Sequence, residues 1–470
     1  MSDPDIIQGG MGAGVSSWHL ARTVSLNGAL GVVSGTALDT ILARRLQQGD
    51  PGGHMRRAMA AFPFPEVVEH VLERYYVPDG KGGDEPYKAV PFFRIRNNER
   101  LLQLTVLANF VEVYLAKEGH EHPVGINYLE KIQMPHLPSL YGAMLASVDY
   151  VLMGAGIPRQ IPGALDALSR HRGASYKLYV EGASGTDAAV RFDPQETVGP
   201  LSEPLKRPQF LAIVASATLA LSLHRKATGE VNGFIVEGPT AGGHNAAPRG
   251  PMSLDEGGEP VYGSKDVVDL QKIADIGKPF WLAGGFGGPG GLGKALALGA
   301  AGIQVGTAFF LCEESSVDPG LRNSLLERLS REEISVFTDP VASPTGFPFK
   351  VVSVEGTASE EQEYADRTRV CDLGYLRVPY EREDGTIDYR CPSEPVDTYQ
   401  KKGGDLSDTV GRKCLCNGLM ANIGQPQFQR GDYVERPLLT AGNDINLVRI
   451  FLQDGKTSYS AVDVIKYLQE

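Results

Sequence analysis

A stretch dense in glycine, Pro279 to Phe310, constrains the fold of this chain more than any other stretch. It reads PFWLAGGFGGPGGLGKALALGAAGIQVGTAFF, so an apolar run, a glycine turn, an alanine and leucine rich segment and a second apolar run follow one another. This order predicts a strand, a loop, a helix and a second strand. With Pro289 in the first helical turn, the N–H groups at the helix start are expected to bind an anion, and a phosphate is the anion we expect.

Two kinds of phosphate site compete for this loop. Gly285, Gly287 and Gly290 satisfy the dinucleotide fingerprint G-x-G-x-x-G. A dinucleotide unit usually opens its domain and ends its second strand on an acidic residue, whereas this strand runs late in the chain into Gly306 and Thr307. In a (β/α)₈ barrel the phosphate lies on the loops after strands seven and eight. We favour the barrel, and a glycine turn that binds no ligand is the remaining alternative.

The rest of the chain repeats the alternation of apolar strands with helices, which predicts parallel pairing. The candidate strands are residues 5–8, 29–34, 123–127, 150–153, 176–180, 210–215, 233–237, 280–282 and 303–305. A closed barrel needs eight strands, and these are nine. Phe210 to Ala215 directly precedes a predicted helix, so it is assigned to the barrel, and Tyr176 to Val180 is assigned to an inserted hairpin.

The predicted fold class is therefore α/β, a (β/α)₈ TIM barrel with a helical insertion and a C-terminal accessory region. The barrel is expected to span residues 1–335, with an insertion at about 50–121 and a smaller one at about 176–208. Prolines punctuate the first insertion, which carries helices of its own. After residue 335 the composition becomes polar and short-patterned, and residues 336–470 form the accessory region.

Charge and cysteine content exclude several partners and compartments. A net charge of -12 argues against nucleic acid and against anionic membrane surfaces, because both would repel the chain. No apolar run approaches the roughly 20 residues that span a bilayer, and no apolar leader opens the chain. Five cysteines in 470 residues do not form a disulfide scaffold, so we expect a reducing, cytoplasmic protein.

Six short motifs occur in one order along residues 5–315, and together they resemble the nitronate monooxygenase (2-nitropropane dioxygenase) family. They are Ile6 to Gly12, Gly125 to Asn127, Gly154 to Gly156, Glu237 through His244, Ala283 to Gly285 and Gln304 to Thr307. No single motif decides the resemblance; the order of all six does. The family shares its FMN-binding barrel with the flavin-dependent enoyl-acyl-carrier-protein reductases.

The resemblance implies FMN as cofactor and assigns residues to its parts. The phosphate would lie on the loops that carry Gly284, Gly285, Gly306 and Thr307, which is where the sequence pattern alone places an anion. The ring would be held by Gly10 and Met11, with Asn127 as a polar partner. The remaining cofactor-binding positions that the resemblance implies are Ser216 and Gly243. Backbone glycine and an amide side chain suit the face and the pyrimidine edge of an isoalloxazine.

His244 is the expected catalytic residue. It follows two glycines at the end of a strand, and the family's substrate-orienting or catalytic histidine matches it. An imidazole titrates near neutrality, so it can take a proton from an acidic C–H or stabilise an anionic nitronate. The alternative is an inert histidine that is hydrogen-bonded to its own loop.

The first functional hypothesis is an FMN-dependent oxidoreductase that oxidises a small nitronate, or a similar carbon acid, with O₂ and without an external reductant. The second is an FMN-dependent reductase that passes hydride from NAD(P)H to an enoyl thioester or a quinone. The third is a flavin-free barrel that serves as a binding or partner protein. The sequence leaves the oligomeric state open, and a homodimer is one option.

Four of the five cysteines fall close together in the accessory region, at Cys371, Cys391, Cys414 and Cys416. Their clustering suggests a structural zinc or iron–sulfur site. Their spacing differs from the C-x₂-C hairpins of zinc modules, and we therefore assign no metal ligands and keep free thiols as the favoured interpretation. Cys312 is expected to be a small core residue.

Overall fold

Eight parallel strands surround the centre of the molecule and return to the first strand. The computed structural model describes residues 3–183, 188–429 and 433–470. The strands, in chain order, are β1 (Ile6–Gln8), β2 (Gly31–Ser34), β3 (Val124–Leu129), β4 (Tyr150–Gly154), β5 (Ala174–Lys177), β6 (Ala189–Phe192), β7 (Gln209–Val214), β8 (Gly233–Glu237), β9 (Phe280–Ala283), β10 (Gly302–Val305), β11 (Val336–Asp339), β12 (Phe349–Val352), β13 (Val378–Glu381) and β14 (Ile387–Arg390).

The central sheet has the strand order β1, β10, β9, β8, β7, β4, β3, β2. Its two end strands also meet, because Ile7 pairs with Leu30 in parallel and the N–H of Gln8 donates to the carbonyl of Leu30 over 2.9 Å. The sheet is thus a nearly closed barrel with helices between its strands, and the predicted (β/α)₈ fold is confirmed.

The helices form the outer layer of the barrel and much of the C-terminal region. They are α1 (Trp18–Leu26), α2 (Leu38–Gln47), α3 (His54–Met59), α4 (Pro65–Tyr75), α5 (Glu99–Lys117), α6 (His136–Leu145), α7 (Ile161–Leu168), α8 (Pro194–Thr197), α9 (Ala217–Lys226), α10 (Leu270–Ala274), α11 (Gly291–Ala297), α12 (Pro319–Arg331), α13 (Glu361–Ala365), α14 (Val396–Lys401), α15 (Leu415–Ala421) and α16 (Ala461–Gln469). Short 3₁₀ helices lie at Pro51–Gly53, Ser264–Asp266, Thr307–Phe309, Leu406–Thr409 and Ile445–Gly455.

The barrel interior is filled by large apolar side chains rather than by solvent. This inner cluster consists of Ile7, Leu30, Val32, Tyr150, Leu152, Leu211, Ile235, Trp281 and Ala283. A second and larger cluster packs the outer faces of the strands against the helices. Because both faces of the strands are buried, the strand sequences are nearly continuous apolar runs. This explains why the strands could be predicted from the sequence.

The surplus strand candidate lies outside the barrel. β5 pairs antiparallel with β6 in a separate two-stranded sheet, whereas β7 pairs with β4 and β8 inside the barrel. The assignment of residues 210–215 to the barrel and of the preceding strand to a hairpin is therefore confirmed. Residues 184–187, within the smaller insertion, lie outside the described residues.

The long helix α5 belongs to the helical layer of the barrel. Asn98 caps its N-terminus by accepting a hydrogen bond from the N–H of Arg100 over 2.7 Å, and most of its side chains are buried. It packs against α1, α2 and α6. The predicted insertion at 50–121 thus includes a helix that covers β2 and β3. The limits of the insertion stay a prediction.

The C-terminal region packs directly on the barrel. β11 and β12 form an antiparallel pair, and Phe349 at the start of β12 bridges to His244. Helix α16, capped by Ser460 and Asp463, packs against α1 and α11. The boundary at residues 335 and 336 stays a prediction. No helix among the described residues has both the length and the apolar character that crossing a bilayer requires.

Candidate active site

A cavity opens at the carboxyl ends of the barrel strands, which is where barrel enzymes place their chemistry. It encloses about 1320 Å³ including its open mouth. Loops after six barrel strands line it, and the segment 440–444 of the C-terminal region forms another wall. Nine of the ten residues predicted for the site line this cavity, namely Gly10, Met11, Asn127, Gly243, His244, Gly284, Gly285, Gly306 and Thr307.

Ser216 is the predicted residue that does not line the cavity. Its side chain caps helix α9 by accepting a hydrogen bond from the N–H of Leu219 over 3.1 Å. Strand β7, which ends shortly before Ser216, lines the cavity with Ile213 instead. A serine directly before a helix has this capping role in many proteins, and the local sequence alone does not distinguish it from a ligand-facing serine.

The first glycine turn lies directly against Asn127. A Cβ atom added at Gly10 would lie 2.5 Å from Asn127 Cβ, so only glycine fits there. Asn127 Nδ2 donates to the Gly10 carbonyl over 3.4 Å, while its buried Oδ1 accepts no hydrogen bond within the described structure. Gln304 Oε1, also buried and at the cavity wall, is likewise unsatisfied. Two unsatisfied buried acceptors indicate a ligand that donates hydrogen bonds.

Met11 contributes its side chain rather than its backbone amide. The Met11 N–H donates to Ser16 Oγ over 2.9 Å and is therefore already used. Its side chain packs close to Gly306, where an added Cβ would lie 3.4 Å from Met11 Cγ. This contact joins the first glycine turn to the last one across the cavity.

The two late glycine loops form a cradle of backbone at the cavity floor. Gly284 and Gly285 follow β9 with φ angles of 83° and 82°, a left-handed conformation that favours glycine. Within the described structure their N–H groups donate to no protein acceptor. Gly306 and Thr307 follow β10 on the neighbouring strand. Unpaired amides converging from adjacent strand ends are suited to an anion.

The helix after this loop begins later than the sequence pattern predicted. Helix α11 begins at Gly291, so Pro289 precedes the helix instead of lying in its first turn. The residues from Gly288 to Gly291 do not line the cavity. The expectation that Pro289 lies in the first helical turn was therefore wrong, because the loop continues from Gly284 to Gly290.

Asp444 is an acidic group at the same cradle. An added Cβ at Gly287 would lie 3.3 Å from Asp444 Oδ2, and the carboxyl group hydrogen-bonds to Thr307. Burial raises the pKa of this carboxyl above its ordinary value, and the hydrogen bond from Thr307 opposes that shift. Thr307 Oγ1 also accepts from the Gly442 N–H over 3.0 Å, which holds the segment against the cradle.

A phosphate bound at the cradle would raise the pKa of Asp444 further, so binding is expected to take up a proton and to weaken as pH rises. Asp444→Asn should remove this added pH dependence and lower the FMN dissociation constant about tenfold at pH 8, because a buried like charge is lost. Fluorescence titration with FMN at several pH values measures both effects. Riboflavin, which lacks the phosphate, is the control ligand, and equal changes for both ligands would contradict this role of Asp444.

His244 projects from the loop after β8 and is held on two sides. Its Nε2 lies 2.7 Å from Ser343 Oγ, and its ring meets that of Phe349 edge-to-face at 4.9 Å. The backbone of the preceding Gly243 is fixed as well, since its N–H donates to Thr440 Oγ1 over 2.9 Å. Gly243 also accepts from the Lys350 N–H over 2.9 Å. The C-terminal region thus fixes the orientation of the imidazole.

Burial lowers the pKa of the His244 imidazole from 6.5 to about 4. The neutral ring therefore predominates in the folded chain at pH 7. The Ser343 hydroxyl also lies 2.8 Å from Thr345 Oγ1. If the Ser343 hydroxyl donates to Nε2, the imidazole proton resides on Nδ1.

The pH dependence of turnover should report this shift. Since the folded pKa is depressed, the imidazole of the folded chain stays neutral through the range in which a free imidazole would gain a proton, and the neutral form is lost as pH falls through about 4. We expect kcat/KM to stay flat between pH 7 and 5 and to fall with an apparent pKa of about 4. A profile recorded with a substrate that does not titrate in this range tests the expectation. A decrease of kcat/KM with an apparent pKa near 6.5 would contradict it.

Glu237 ends β8 and lines the cavity near His244, although only its motif, and not its carboxyl group, was singled out in the sequence. Burial raises the pKa of this carboxyl from 4.5 to about 8. It is therefore mainly protonated at pH 7 and can donate a hydrogen bond. A perturbed acid in a cavity is a candidate functional group, and it adds to His244 rather than replacing it.

Four groups in the site were thus missed, namely Glu237, Gln304, Ser343 and Asp444. The signal for Glu237 was its position at a strand end, directly before the glycine turn that leads to His244. Ser343 and Asp444 lie about 100 and 140 residues beyond the residues they contact, His244 and Thr307. No spacing rule connects residues across such a separation.

A segment of the chain matches one protein family. Residues 200–346 match the family described as nitronate monooxygenase. The matched segment is less than half of the chain, and it contains His244 and both late glycine loops. It does not include Gly10, Met11 or Asn127.

Curated relatives match over similarly short segments. A nitronate monooxygenase of Paraburkholderia phytofirmans is 33% identical over 121 residues, which is 26% of this chain and 31% of the relative. A (3aS,4S,5R,7aS)-5-hydroxy-7a-methyl-1-oxo-octahydro-1H-indene-4-carboxyl-CoA dehydrogenase of Rhodococcus jostii is 31% identical over 133 residues, 28% of this chain and 33% of the relative. The matched segments thus span about a third of these relatives.

Among solved structures, FabK from Thermotoga maritima overlays with a TM-score of 0.48 at 15% identity, covering 100% of this chain and 92% of that chain. This overlay is too loose to add to the fold, which is defined by the strand pairing itself. The relationship to the family rests on the sequence match alone. Through residues 200–346, which hold His244 and both late glycine loops, this chain is related to the nitronate monooxygenase family.

Proposed function

We propose that this chain is an FMN-dependent oxidoreductase that oxidises a nitronate, or a similar carbon acid, with O₂. The observation that carries the proposal is the placement of His244 in the same cavity as the glycine loops after β9 and β10. The match of residues 200–346 to the nitronate monooxygenase family supports it. The relatives share only about a third of their length with the chain, so the activity rests on the cavity as much as on the match.

The cavity has the groups that FMN requires. The amides of Gly284 and Gly285, with Gly306 and Thr307 on the next strand, would hold the phosphate. The unsatisfied Asn127 Oδ1 and Gln304 Oε1 are acceptors for the N–H of the pyrimidine edge. Gly10 lies too close to Asn127 to carry a side chain, so it offers backbone to a ring in the cavity. Among the described residues that line the cavity, Asp444 disfavours a phosphate when its carboxyl group is ionised.

FMN, when bound, supplies an electron acceptor that O₂ can reoxidise. The remaining tasks belong to the chain. The neutral His244 imidazole can donate its N–H to an oxygen of an anionic substrate, and Ser343 holds the ring in place through Nε2. The protonated Glu237 carboxyl can donate a second hydrogen bond from the same side of the barrel.

The low pKa of His244 favours a particular class of substrate. An imidazole with a pKa of about 4 is a weak base, so it is poorly suited to removing a proton from carbon at pH 7. It is better suited to binding a substrate that has already lost its proton. A nitronate anion is such a substrate, and its two oxygens accept hydrogen bonds. Nitronates are therefore expected to be better substrates than the corresponding neutral nitroalkanes.

Oxygen consumption tests the proposal. The purified, FMN-loaded chain should consume O₂ when a simple alkyl nitronate is added without NADH or NADPH. Rapid bleaching of the flavin by NADH or NADPH under anaerobic conditions, with no nitronate turnover, would instead identify a reductase. A chain that is colourless as purified and does not bind added FMN would identify a flavin-free binding protein.

A further inference from the structure

Four cysteines from separate parts of the C-terminal region line one small cavity, away from the barrel mouth. Cys371 follows α13, Cys391 follows β14, and Cys414 and Cys416 lie at the start of α15. The cavity encloses about 320 Å³. All four cysteines are free thiols, and all are buried or half-buried. The fifth cysteine, Cys312, lies elsewhere, in the core beside the barrel.

All four cysteines face the same enclosed space, together with the polar side chains of Arg377, Ser393, Glu394 and Asn417. A free cysteine packs as a small apolar residue, and four of them around one cavity add a shared capacity to bind metal.

The arrangement of the cysteines argues against a site for one metal ion. Around a single zinc ion, with Zn–S bonds of about 2.3 Å, tetrahedral thiolates lie about 3.8 Å from one another. Among the described residues, no group of three His, Cys, Asp or Glu side chains is placed to hold one ion. Four cysteines that share a cavity without closing on a point suit a polynuclear centre, because an iron–sulfur cluster holds its four cysteines around a body of several atoms.

A buried guanidinium close to Cys414, that of Arg367, has two nitrogen atoms without an acceptor in the described structure. The side chain of Arg367 is 1% exposed, and its Nε donates to Glu435 Oε1 over 2.7 Å. Its Nη1 and Nη2 have no hydrogen-bond acceptor within the described structure. Arg367 also lies over the ring of Tyr364, and the hydroxyl of Tyr364 accepts from the Cys414 N–H over 2.7 Å. Unpaired buried N–H groups next to a thiol indicate an acceptor such as thiolate or sulfide.

Two further donors surround the same sulfur atoms. Asn417 Nδ2 lies 3.8 Å from Cys414 Sγ. The Arg377 guanidinium lines the cavity beside Cys371 and Cys391. Positive charge and N–H donors around the cysteines would offset the negative charge of a bound cluster and adjust its reduction potential.

We propose that Cys371, Cys391, Cys414 and Cys416 bind an iron–sulfur cluster. Its place in the fold suggests a structural role for the active site. Pro344 lines the cysteine cavity, and the preceding Ser343 contacts His244. Lys413, next to Cys414, donates its N–H to Ala342 over 2.8 Å, and Arg412 Nη1 donates to the Ser343 carbonyl over 2.5 Å. The cluster would thus fix the loop that orients the imidazole.

Chemical analysis tests the proposal independently of flavin. The full chain should be purified without air from cells supplied with iron, and iron, acid-labile sulfide and zinc should be measured per chain. We expect about four iron and about four sulfide for a cubane held by four cysteines. Dithionite reduction should then give an electron paramagnetic resonance signal that flavin does not produce. Neither iron nor sulfide, or zinc in their place, would overturn the proposal.

Variants identify the ligands. Cys391→Ser and Cys414→Ser should lose most of the iron and sulfide, whereas Cys312→Ala, a buried cysteine outside the cavity, should retain them. Iron that stays unchanged in both serine variants would overturn the assignment. If a serine variant does not fold, the metal analysis of the wild-type chain still decides whether a cluster is present. Because the readout is metal content, it is separate from any failure of the proposed nitronate oxidation.

Discussion

His244→Ala is expected to lower kcat/KM for nitronate oxidation by about 100-fold or more while the chain keeps its FMN. The imidazole lines the cavity, and apart from Gly243, which directly precedes it, the residues proposed to hold the cofactor lie on other loops. Removing it takes away the N–H donor that we propose for the substrate and ends the contact of Ser343 with the ring. Steady-state kinetics with a nitronate, together with the flavin absorbance of the same samples, measure the two effects separately.

The matched control is His224→Ala, which removes an exposed histidine in the last turn of α9. Its turnover and flavin content should equal those of the wild-type chain. If His244→Ala turned over nitronate at the wild-type rate, the imidazole would have no role in the reaction. A variant that lost its FMN as well would show that His244 holds the cofactor rather than the substrate.

Gly284→Ala is expected to weaken FMN binding by at least about tenfold, the second large effect. The φ angle of Gly284 is 83°, which an alanine adopts only with strain. An added Cβ would also lie 3.0 Å from Ala241 N and 3.0 Å from the Gly238 carbonyl oxygen. The strand end must shift to make room, and the proposed phosphate cradle shifts with it. Titration of the cofactor-free chain with FMN gives the dissociation constant.

Gly299→Ala separates backbone strain from the cradle. Gly299 has the same φ angle of 83°, and no atom lies within 4 Å of an added Cβ. It follows helix α11, outside the cavity. Both variants should lose similar stability to left-handed strain, and only Gly284→Ala should lose FMN. Equal FMN affinity in the two variants would contradict a phosphate cradle at Gly284.

The barrel was predictable because its strands are buried on both faces. Runs such as Phe234 to Val236 are apolar without interruption and are followed by small residues, which is the signature of a parallel strand that ends at a functional face. The surplus ninth strand could be set aside because a barrel closes at eight and the following helix pattern belonged to β7. The handedness and order of the crossovers then leave few alternatives.

The arrangement of the C-terminal region was not predictable. Its elements are short and joined by irregular segments, so no periodicity indicated that residues 440–444 would lie over the barrel mouth. The contacts from Ser343 to His244 and from Gly442 to Thr307 join positions more than 90 residues apart. Such contacts depend on the tertiary packing of a whole region, and local sequence carries no signal for them.

Local sequence did not decide the position of two further residues, Ser216 and Pro289. Ser216 has both the residue type and the position of an N-cap, and capping is the role that the structure gives it. Pro289 was expected inside the helix because proline favours the first turn, but the glycines on both sides extend the loop to Gly290. In both cases the residue type was compatible with two positions, and backbone geometry decided between them.

The most direct test of the account is the cofactor content of the purified chain, determined by releasing any bound flavin and identifying it chromatographically. The account predicts FMN at about one molecule per chain, either as purified or after reconstitution, with much weaker binding of riboflavin because it lacks the phosphate. A chain that takes up neither flavin, or that binds riboflavin as tightly as FMN, would contradict the claim that the late glycine loops hold a phosphate.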